Sequence, residues 1–457
     1  MTAMKPENNV EDILEDIHYL LESDQLDFLR NILADMHVAD ISDLVESLDA
    51  DSRYKVFSLI SQDSASDVLA DLEDVAKEDI LEELDSSEIA ELVSEMDSDD
   101  AVDIVSELDS HIANEVLDKV DEEAIEDIRE LLKYPEDTAG GIMAKEYVSI
   151  EVNWTVQQAI EQLRKASERV DDIYLCYVVD RFGLLLGTVS LKELILAEEA
   201  TPIHSIVDEE IFAVTADTDQ EEVAQLFEKY DLISSPVIDS EKRLIGRITI
   251  DDILDVINEE ADEDLARIAG IGEEEILEDS SLRIVQARLP WLLISFVGEI
   301  ISALVMQMYS MTIQQVLASA FFIPVVMAMG GSIGQQSGII VVRGLATGEI
   351  NPRDIWRRVS RETRSALISG SVIAALIFCV VMLWQKDINL ASVLAGTLLI
   401  VMLNASMFGA IIPFVFKRFN IDPAIASGPF VTTFNDVIGL LIYFGLLTLA
   451  ITSGMIT

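Results

Sequence analysis

Cysteine, histidine and basic residues are scarce in this chain, and each scarcity excludes a class of function. Only Cys176 and Cys379 are present among 457 residues, so we expect neither a disulfide framework nor a thiolate metal site. The chain has four histidines, no activated-nucleophile constellation and no phosphate-cradling loop, which argues against an enzyme. Lys and Arg total 30 against 84 Asp and Glu, and such an acidic surface would repel nucleic acid.

Acidic residues are themselves nearly missing from the last third of the chain. From Gln286 onward there are 7 acidic and 10 basic residues, which leaves 77 and 20 before it, a net charge of +3 against −57. A polyanion joined to an apolar segment predicts a protein that handles cations at a membrane. Because Met1 to Val10 is polar and does not resemble a signal peptide, we expect the acidic part to stay in the cytoplasm.

An apolar residue recurs every twelve residues in the region 1–133. The series is Leu48, Ile60, Leu72, Leu84, Met96, Leu108, Val120 and Leu132. Twelve residues hold one short helix and a corner, and Asp85 with Glu88 or Asp97 with Asp100 has the spacing of a capping box. We therefore predict an all-α, helical-repeat N domain, a solenoid of either hand. Its acidic face either binds cations or serves only solvation, including adaptation to a saline cytoplasm.

Residues 134–255 contain a second repeat, with copies 59 residues apart. Val178-Val179-Asp180 recurs as Val237-Ile238-Asp239, and the segment starting at Leu185 recurs from Leu244. Each copy predicts strand, turn, strand and helix, preceded by an amphipathic helix over 156–166 or 221–230. The two copies resemble a tandem CBS pair, an α/β module that often binds adenine nucleotides. That resemblance makes ATP a candidate cofactor, with Asp239 and Asp252 as candidate ribose contacts.

A long acidic helix is predicted to connect the CBS pair to the apolar segment, over 256–285. Spacings of three and four residues place several carboxylates of this region on one helix face, where like charges repel unless a cation lies among them. These carboxylates are Asp252, Asp255, Glu259, Glu260, Asp262, Glu263 and Asp264.

Residues 286–457 are predicted to form a transmembrane domain of five helices. Five apolar runs, over 289–308, 313–342, 366–384, 391–416 and 425–451, are each long enough for a bilayer core, which needs about 20 residues. Basic residues precede the first run and follow the second and fourth, as at Arg288, Arg358 and Lys417. The positive-inside bias then places the N-terminus in the cytoplasm and the C-terminus outside, in a multi-pass protein of the cytoplasmic membrane.

Two acidic residues lie within these apolar runs. Asp436 is central in the last run, and a carboxylate there is costly unless it faces water, a cation or a partner. Thr432 and Gly439 share its helix face. We interpret Asp436 as an ion-binding residue, with a structural hydrogen bond to a neighbouring helix as the alternative. Glu299, in the first run, has no comparable polar face, and both roles stay open for it.

The second apolar run contains Pro324 and the segment Gly330-Gly331-Ser332-Ile333-Gly334-Gln335-Gln336, which we expect to interrupt the helix. Glycine at this density lets the backbone approach another group closely, and in a membrane this requires surrounding protein or a water-filled cavity. Small-residue helix packing is the alternative reading. Tight packing around a pore would satisfy both.

The order of these parts resembles the MgtE family of magnesium channels. Three segments carry the resemblance: Tyr134-Pro135-Glu136-Asp137-Thr138-Ala139-Gly140-Gly141-Ile142-Met143, Asp217-Thr218-Asp219-Gln220-Glu221-Glu222-Val223-Ala224, and Asp436-Val437-Ile438-Gly439-Leu440-Leu441-Ile442-Tyr443. The resemblance implies a homodimer in membrane lipid that conducts divalent cations through a pore between the subunits, with Asp436 and Thr432 at the ion site. The implied pore lining is Gly330, Gly331, Ser332, Gly334, Gln336 and Pro429.

The resemblance also implies regulation by Mg2+ and a connecting helix that acts as a plug. The implied regulatory ligands are Asp99, Asp100, Asp103, Asp252, Asp255, Glu260, Glu263 and Asp264. Mg2+ takes hard oxygen ligands, so bound Mg2+ would cancel the repulsion among these carboxylates and let the acidic domains compact. Compaction would hold the plug against the pore, and the importer would close when the cell is replete with Mg2+.

The chain departs from the family pattern at three positions. Ser332 and Gly428 stand where the family has asparagine, and Gln314 stands where some relatives carry a carboxylate. These departures affect the expected ion identity more than transport itself, so a channel for Mn2+ or Co2+ stays an alternative. A membrane-anchored CBS nucleotide sensor is a further alternative, but a mere anchor has no reason to bury Asp436.

Overall fold

The computed structural model describes residues 17–456 except 22, 24, 168, 171–172, 270–280, 347–348, 420, 426–427 and 429. The chain divides into two compact units, Met1–Ile257 and Asn258–Thr457. The first unit holds the helical repeats and the CBS pair, and the second holds the apolar helices. The predicted fold class is confirmed, whereas the domain boundaries stay predictions.

Short helices form the N-terminal part of the first unit. In the described residues they are α1 (Leu26–Leu33), α2 (Val38–Glu46), α3 (Ala50–Phe57), α4 (Gln62–Asp71), α5 (Asp74–Leu81), α6 (Ser86–Glu95), α7 (Ser98–Glu107), α8 (Ser110–Leu117) and α9 (Glu122–Leu131). From α2 onward each helix begins twelve residues after the previous one. The repeated apolar residue stands just before each N-cap and packs into one continuous core, as Leu48 and Leu72 do. The predicted twelve-residue periodicity is therefore confirmed.

The two predicted capping boxes have different outcomes. At α6 the Asp85 carboxylate accepts from the backbone N–H of Glu88, and the Glu88 side chain accepts from that of Asp85. At α7 the prediction is wrong, because Asp97 makes no capping hydrogen bond through its side chain. The Asp100 side chain does not reach back to the N-cap, because it lies in a buried acidic cluster.

The CBS pair consists of two three-stranded sheets of the same topology. The elements are β1 (Ser149–Glu151), α10 (Val156–Ala166), β2 (Leu175–Val179), β3 (Leu185–Ser190), α11 (Leu191–Leu196), β4 (Val214–Thr215), α12 (Gln220–Tyr230), β5 (Ser234–Ile238), β6 (Leu244–Thr249) and α13 (Ile250–Ala269). In each sheet the first strand runs parallel and the third antiparallel to the central strand. Leu175 pairs with Ser190 and Ser234 with Thr249, so the pairing register repeats after 59 residues.

Among the described residues of the second unit, five helices are long and apolar enough to cross a membrane. Its elements are α14 (Ser281–Met308), α15 (Ser310–Gln315), α16 (Leu317–Ala320), α17 (Ile323–Ala346), α18 (Ile355–Gln385), α19 (Ile388–Arg418) and α20 (Val431–Thr452). Their packed core includes Leu398, Tyr443 and Phe444, and the Tyr443 hydroxyl donates to the carbonyl of Ser319 at 2.7 Å. The connecting segment is described as helix only to Ala269 and again from Ser281, so the middle of the predicted plug helix lies outside the described residues.

The second apolar run is interrupted beside Pro324, since α16 ends at Ala320 and α17 begins at Ile323, but the prediction that the glycine segment interrupts the helix is wrong. Helix α17 continues through the whole segment 330–336. Pro324 lies in the first turn of α17, where its missing N–H has no intrahelical partner to lose. Neighbouring helices pack directly against Gly330 and Gly334, so the small size of these two residues serves close approach and not a break.

Candidate functional site

Asp436 lies in the second turn of α20, among the packed helices of the second unit. Its side chain is partly buried, and that of Thr432 one turn earlier is partly buried as well. The Thr432 hydroxyl donates to the backbone carbonyl of Gly428 at 3.4 Å. Because that bond uses the hydroxyl hydrogen, the Thr432 oxygen keeps its lone pairs for a cation.

The Asp436 carboxyl group has an acidic neighbour on another helix. The side chain of Glu299 on α14 lies beside it, close enough for the two carboxyl groups to interact. Helices α14 and α20 approach closely here, since a Cβ atom on Gly298 would overlap the side chain of Thr433. Two ionised carboxylates this close repel each other, so the pair is stable only with a proton or a cation between them. The sequence left the role of Glu299 open, and the structure brings it to Asp436.

The glycine segment of α17 packs against α19 and α20. A Cβ atom on Gly334 would overlap the Asn435 side-chain amide, and one on Gly409 would overlap the Gly334 carbonyl. Asn435 is 5% exposed, and its Nδ2 atom has no hydrogen-bond partner among the described residues. Gly334 thus lets α17 contact α20 one residue before Asp436.

The residues expected to line a pore fall on two faces of α17. Gly330 and Gly334 are buried within the helix bundle, and a Cβ atom on Gly330 would lie 3.0 Å from Val401. Ser332 and Gln336 are exposed, and a Cβ atom on Gly331 would meet no atom of the described chain within 4 Å. Small-residue packing therefore accounts for the first face, and the polar second face has room for water or a partner. Pro429 lies outside the described residues.

Three of the predicted regulatory carboxylates converge in the first unit. Asp99 and Asp100 begin α7, and Asp252 begins α13. Burial, followed by the charge of Asp252, raises the pKa of Asp99 well above its usual value and that of Asp100 to about 7. Burial likewise raises the pKa of Asp252 to about 6, although its carboxylate accepts hydrogen bonds from the N–H and hydroxyl of Thr249. Such a cluster attracts either protons or a cation.

The other predicted ligands of the first unit lie beside this cluster or apart from it. Asp103 is exposed, and its negative charge contributes, after burial and Asp252, to the raised pKa of Asp100. Asp255 has its pKa raised by burial and by the charge of Asp71, a residue of α4 that the sequence analysis did not single out. Within the described residues, no three His, Cys, Asp or Glu side chains already form a metal cage.

A separate acidic group lies in the second unit. Burial, then the charges of Asp422 and Glu260, raise the pKa of Asp264 to about 6. Glu263 pairs with Arg267 on the next turn of α13, and Arg267 also pairs with Asp422. Glu263 is thus already neutralised by an arginine. Asp422 was missed by the sequence analysis, since it follows Lys417 and Arg418 in a connection without periodicity.

A cleft of about 780 Å³ opens beside the second CBS copy. It is lined by Tyr134, Pro135, Thr138, Thr215, Ala216, Asp217, Ile238, Asp239, Ser240 and Ile245. Asp239 is held by Arg243, whose Nε atom lies 2.9 Å from its carboxylate. As described, the lining includes Asp239 but not Asp252, so the predicted ribose contact at Asp252 is not supported.

Fold and site together define a class of protein. Helical repeats and a CBS pair with clustered carboxylates precede a multi-pass membrane domain that carries carboxylates on its spans, which is the construction of a cation transporter. Family models match at 36–137 for the MgtE intracellular N domain, at 139–200 and 203–259 for CBS domains, and at 323–446 for the divalent cation transporter MgtE. The chain belongs to the MgtE family of magnesium transporters.

Similar proteins cover most of the chain. It is 38% identical to the magnesium transporter MgtE of Bacillus subtilis over 70% of this chain and 71% of that one. It is 36% identical to the magnesium transporter MgtE of Thermus thermophilus over 91% of this chain and 93% of that one. These relatives are named as transporters and not as enzymes.

Two solved structures resemble the first unit. The crystal structure of the soluble part of a magnesium transporter is 33% identical, with a TM-score of 0.51, and covers 55% of this chain and 100% of that one. The cytosolic domain of the Mg2+ channel MgtE in complex with ATP is 34% identical, with the same TM-score, and covers 53% of this chain and 99% of that one.

Proposed function

We propose that this chain is a channel that imports Mg2+ across the cytoplasmic membrane and closes when cytosolic Mg2+ is high. The observation that carries this proposal is the pairing of Asp436 with Glu299 between two membrane-spanning helices. Carboxylates are costly at this depth unless they serve an ion path. Mg2+ sheds its water reluctantly, so Asp436, Glu299 and the Thr432 oxygen would hold a hydrated ion through its water shell.

The proposed pore is completed by a second copy of the chain. Ser332, Gln336 and Glu299 are exposed on the single chain, and polar groups at membrane depth require water or protein around them. A homodimer that joins these faces would enclose them and present two copies of Asp436 to the ion. In the proposed orientation the N-terminus lies in the cytoplasm and the C-terminus outside.

Asp99, Asp100 and Asp252 are the proposed centre of the Mg2+ sensor in the first unit. Their oxygens match the hard ligands that Mg2+ prefers, and their mutual repulsion disfavours the ionised cluster in the absence of a cation. Glu260, Asp264 and Asp422 are the proposed second group, on the connecting helix and the approach to the last span. Mg2+ shifts the equilibrium between the open and closed channel only if it binds one of the two states better. Binding between paired carboxylates favours the compact, closed state.

Other divalent cations are the second candidate cargo. Ser332 replaces an asparagine amide on the exposed face of α17, and a hydroxyl offers a different ligand geometry to ions such as Mn2+ and Co2+. We favour Mg2+ because the relatives that cover most of the chain are named magnesium transporters.

ATP is the proposed ligand of the CBS cleft. Asp217 and Asp239 line the cleft and can accept hydrogen bonds from ribose hydroxyls. A related cytosolic domain forms a complex with ATP. The same carboxylates would repel the triphosphate, so we expect ATP binding to depend on Arg243 or on accompanying Mg2+.

Flux into proteoliposomes tests the proposed function. Purified chain should carry Mg2+ faster than Mn2+ or Co2+, and flux should stop when millimolar Mg2+ reaches the side that bears the acidic unit. Absence of divalent flux from folded protein would refute the channel, while faster flux of Mn2+ or Co2+ would assign the second candidate cargo.

A further inference from the structure

Four arginines lie on the outer surface at the start of α18 and in the turn before it. Arg353, Arg357, Arg361 and Arg364 are all exposed. Among the described residues of the second unit, none of the four takes part in an ion pair. Arg358 is different, because it forms an ion pair with the buried Glu362 at 2.9 Å. The four exposed arginines, which we call the arginine stripe, are therefore available to a partner outside the second unit.

Three members of the arginine stripe lie on one face of α18, and Arg353 lies in the turn before it. At 100° per residue, Arg357, Arg361 and Arg364 lie within about 60° of each other. The opposite face is packed into the bundle, and its buried residues are Val359, Glu362, Ala366 and Gly370. This helix therefore directs the stripe away from its own bundle.

The face that carries the stripe becomes apolar within one turn. Ile368 follows Arg364 on the same face and is 71% exposed, and Leu383 near the end of the helix is 81% exposed. Exposed apolar side chains on a membrane-spanning helix face the acyl chains of lipids. At 1.5 Å per residue, the stripe from Arg357 to Arg364 spans about 10 Å along the axis, a length similar to the headgroup layer on one side of a bilayer. Trp356, 73% exposed, is of the residue type that anchors helices in that layer.

A second copy of the chain is the other candidate occupant of this face. In a two-fold interface the same surfaces meet, so arginines of one copy would approach those of the other. Like charges opposed across an interface are unfavourable. The phosphate group of an anionic lipid has the complementary charge, and its oxygens match the fork of the guanidinium group.

We propose that the arginine stripe binds the phosphate headgroups of anionic phospholipids. Arginines that only set the orientation of the chain in the membrane would need positive charge alone. A phosphate site depends also on the geometry of the guanidinium group, which lysine lacks. Replacement by lysine therefore separates the two roles.

The test measures lipid binding to purified full-length protein by native mass spectrometry. Apparent dissociation constants for phosphatidylglycerol and phosphatidylcholine are compared in the wild type and in the triple variant Arg357→Gln/Arg361→Gln/Arg364→Gln. We expect the wild type to prefer phosphatidylglycerol. Each arginine near a membrane surface contributes about fivefold in binding, so the triple variant should lose up to about a hundredfold of this preference. The corresponding lysine variant should keep part of it.

A matched control removes the same charge elsewhere. Arg164, Lys165 and Lys192 are exposed in the first unit, and their triple glutamine variant should keep the wild-type preference.

An unchanged preference in the stripe variant, or no preference in the wild type, overturns the proposal. A loss of dimers with the lipid preference intact would assign the face to a second copy and also overturn it. If the triple variant does not fold, Arg361→Gln alone should show the loss of about fivefold. The measurement needs no ion flux, so its failure is distinct from failure of the proposed channel.

Discussion

Asp252→Asn isolates the charge of the acidic cluster from its hydrogen bonds. An asparagine side-chain oxygen can still accept from the N–H and hydroxyl of Thr249, at 2.9 and 2.7 Å in the structure. The start of α13 should therefore stay capped. What the substitution removes is the negative charge that raises the pKa values of Asp99 and Asp100.

The size of the effect follows from Asp100. Its pKa is raised from 3.8 to about 7, which at 1.36 kcal/mol per unit is about 4 kcal/mol of folding free energy lost once it ionises. Burial is the largest cause and Asp252 the next, so Asp252→Asn should restore on the order of 1 kcal/mol.

The direction of the pH dependence is fixed by the raised pKa. The folded unit keeps a proton that the unfolded chain releases near pH 4, so stability falls between about pH 4 and about pH 7 and stays low above that range. Asp252→Asn should make this fall shallower. Millimolar Mg2+ should stabilise the wild type above pH 7, because it takes the place of the proton, and should stabilise the variant less.

Hydrogen exchange of full-length protein with and without Mg2+ measures both effects at α7 and at the start of α13. In metal-free buffer above pH 7 the variant should exchange more slowly than the wild type, and it should gain less protection from Mg2+. Asp109→Asn is the matched control, since Asp109 is an exposed N-cap of the next helix whose side chain makes no capping bond. Equal Mg2+ protection in Asp252→Asn and the wild type would remove Asp252 from the sensor.

Three further variants address the membrane domain. Asp436→Asn should lower divalent flux about a hundredfold or more while the protein stays folded, since removing one charge of the ion site costs several kcal/mol; flux at the wild-type rate in proteoliposomes would exclude Asp436 from the path. Ser332→Asn should change the ratio of Mg2+ to Mn2+ and Co2+ flux without changing thermal stability, and unchanged ratios would place Ser332 off the selective path. Gly409→Ala should destabilise the folded state by about 1 to 3 kcal/mol, because the new methyl group would overlap the Gly334 carbonyl; Gly396→Ala, which meets no atom within 4 Å, should melt at the wild-type temperature or above it.

Repeats made much of the fold predictable from the sequence. The twelve-residue spacing predicted helix starts because each repeated apolar residue from Leu48 to Val120 stands just before an N-cap, as Leu48 does before Asp49. The 59-residue spacing gave strand pairing because both CBS copies share one register. Both spacings are local features of the sequence, so they can be recognised without knowledge of the tertiary structure.

The site residues that the sequence did not reveal are those defined by long-range contacts. Glu299 and Asp436 are 137 positions apart in the numbering, and only the packing of α14 on α20 joins them. Asp71 and Asp255 meet for a similar reason in the first unit. Where a prediction failed, a long-range contact replaced a local preference, as at Asp100, which joins a buried cluster and does not complete a capping box.

Two of the departures from the family pattern, at Gly428 and Ser332, have different physical meanings. A Cβ atom on Gly428 would lie 2.9 Å from the Ile268 carbonyl at the end of α13, so any side chain there would push against the connecting helix. Glycine at this position therefore permits close approach of a helix that also bears the Arg267 pair with Asp422. Ser332 meets no such constraint, because it is exposed on the polar face of α17. Of these two residues, Ser332 therefore bears on the identity of the transported ion, while Gly428 bears on how the connecting helix reaches the last span.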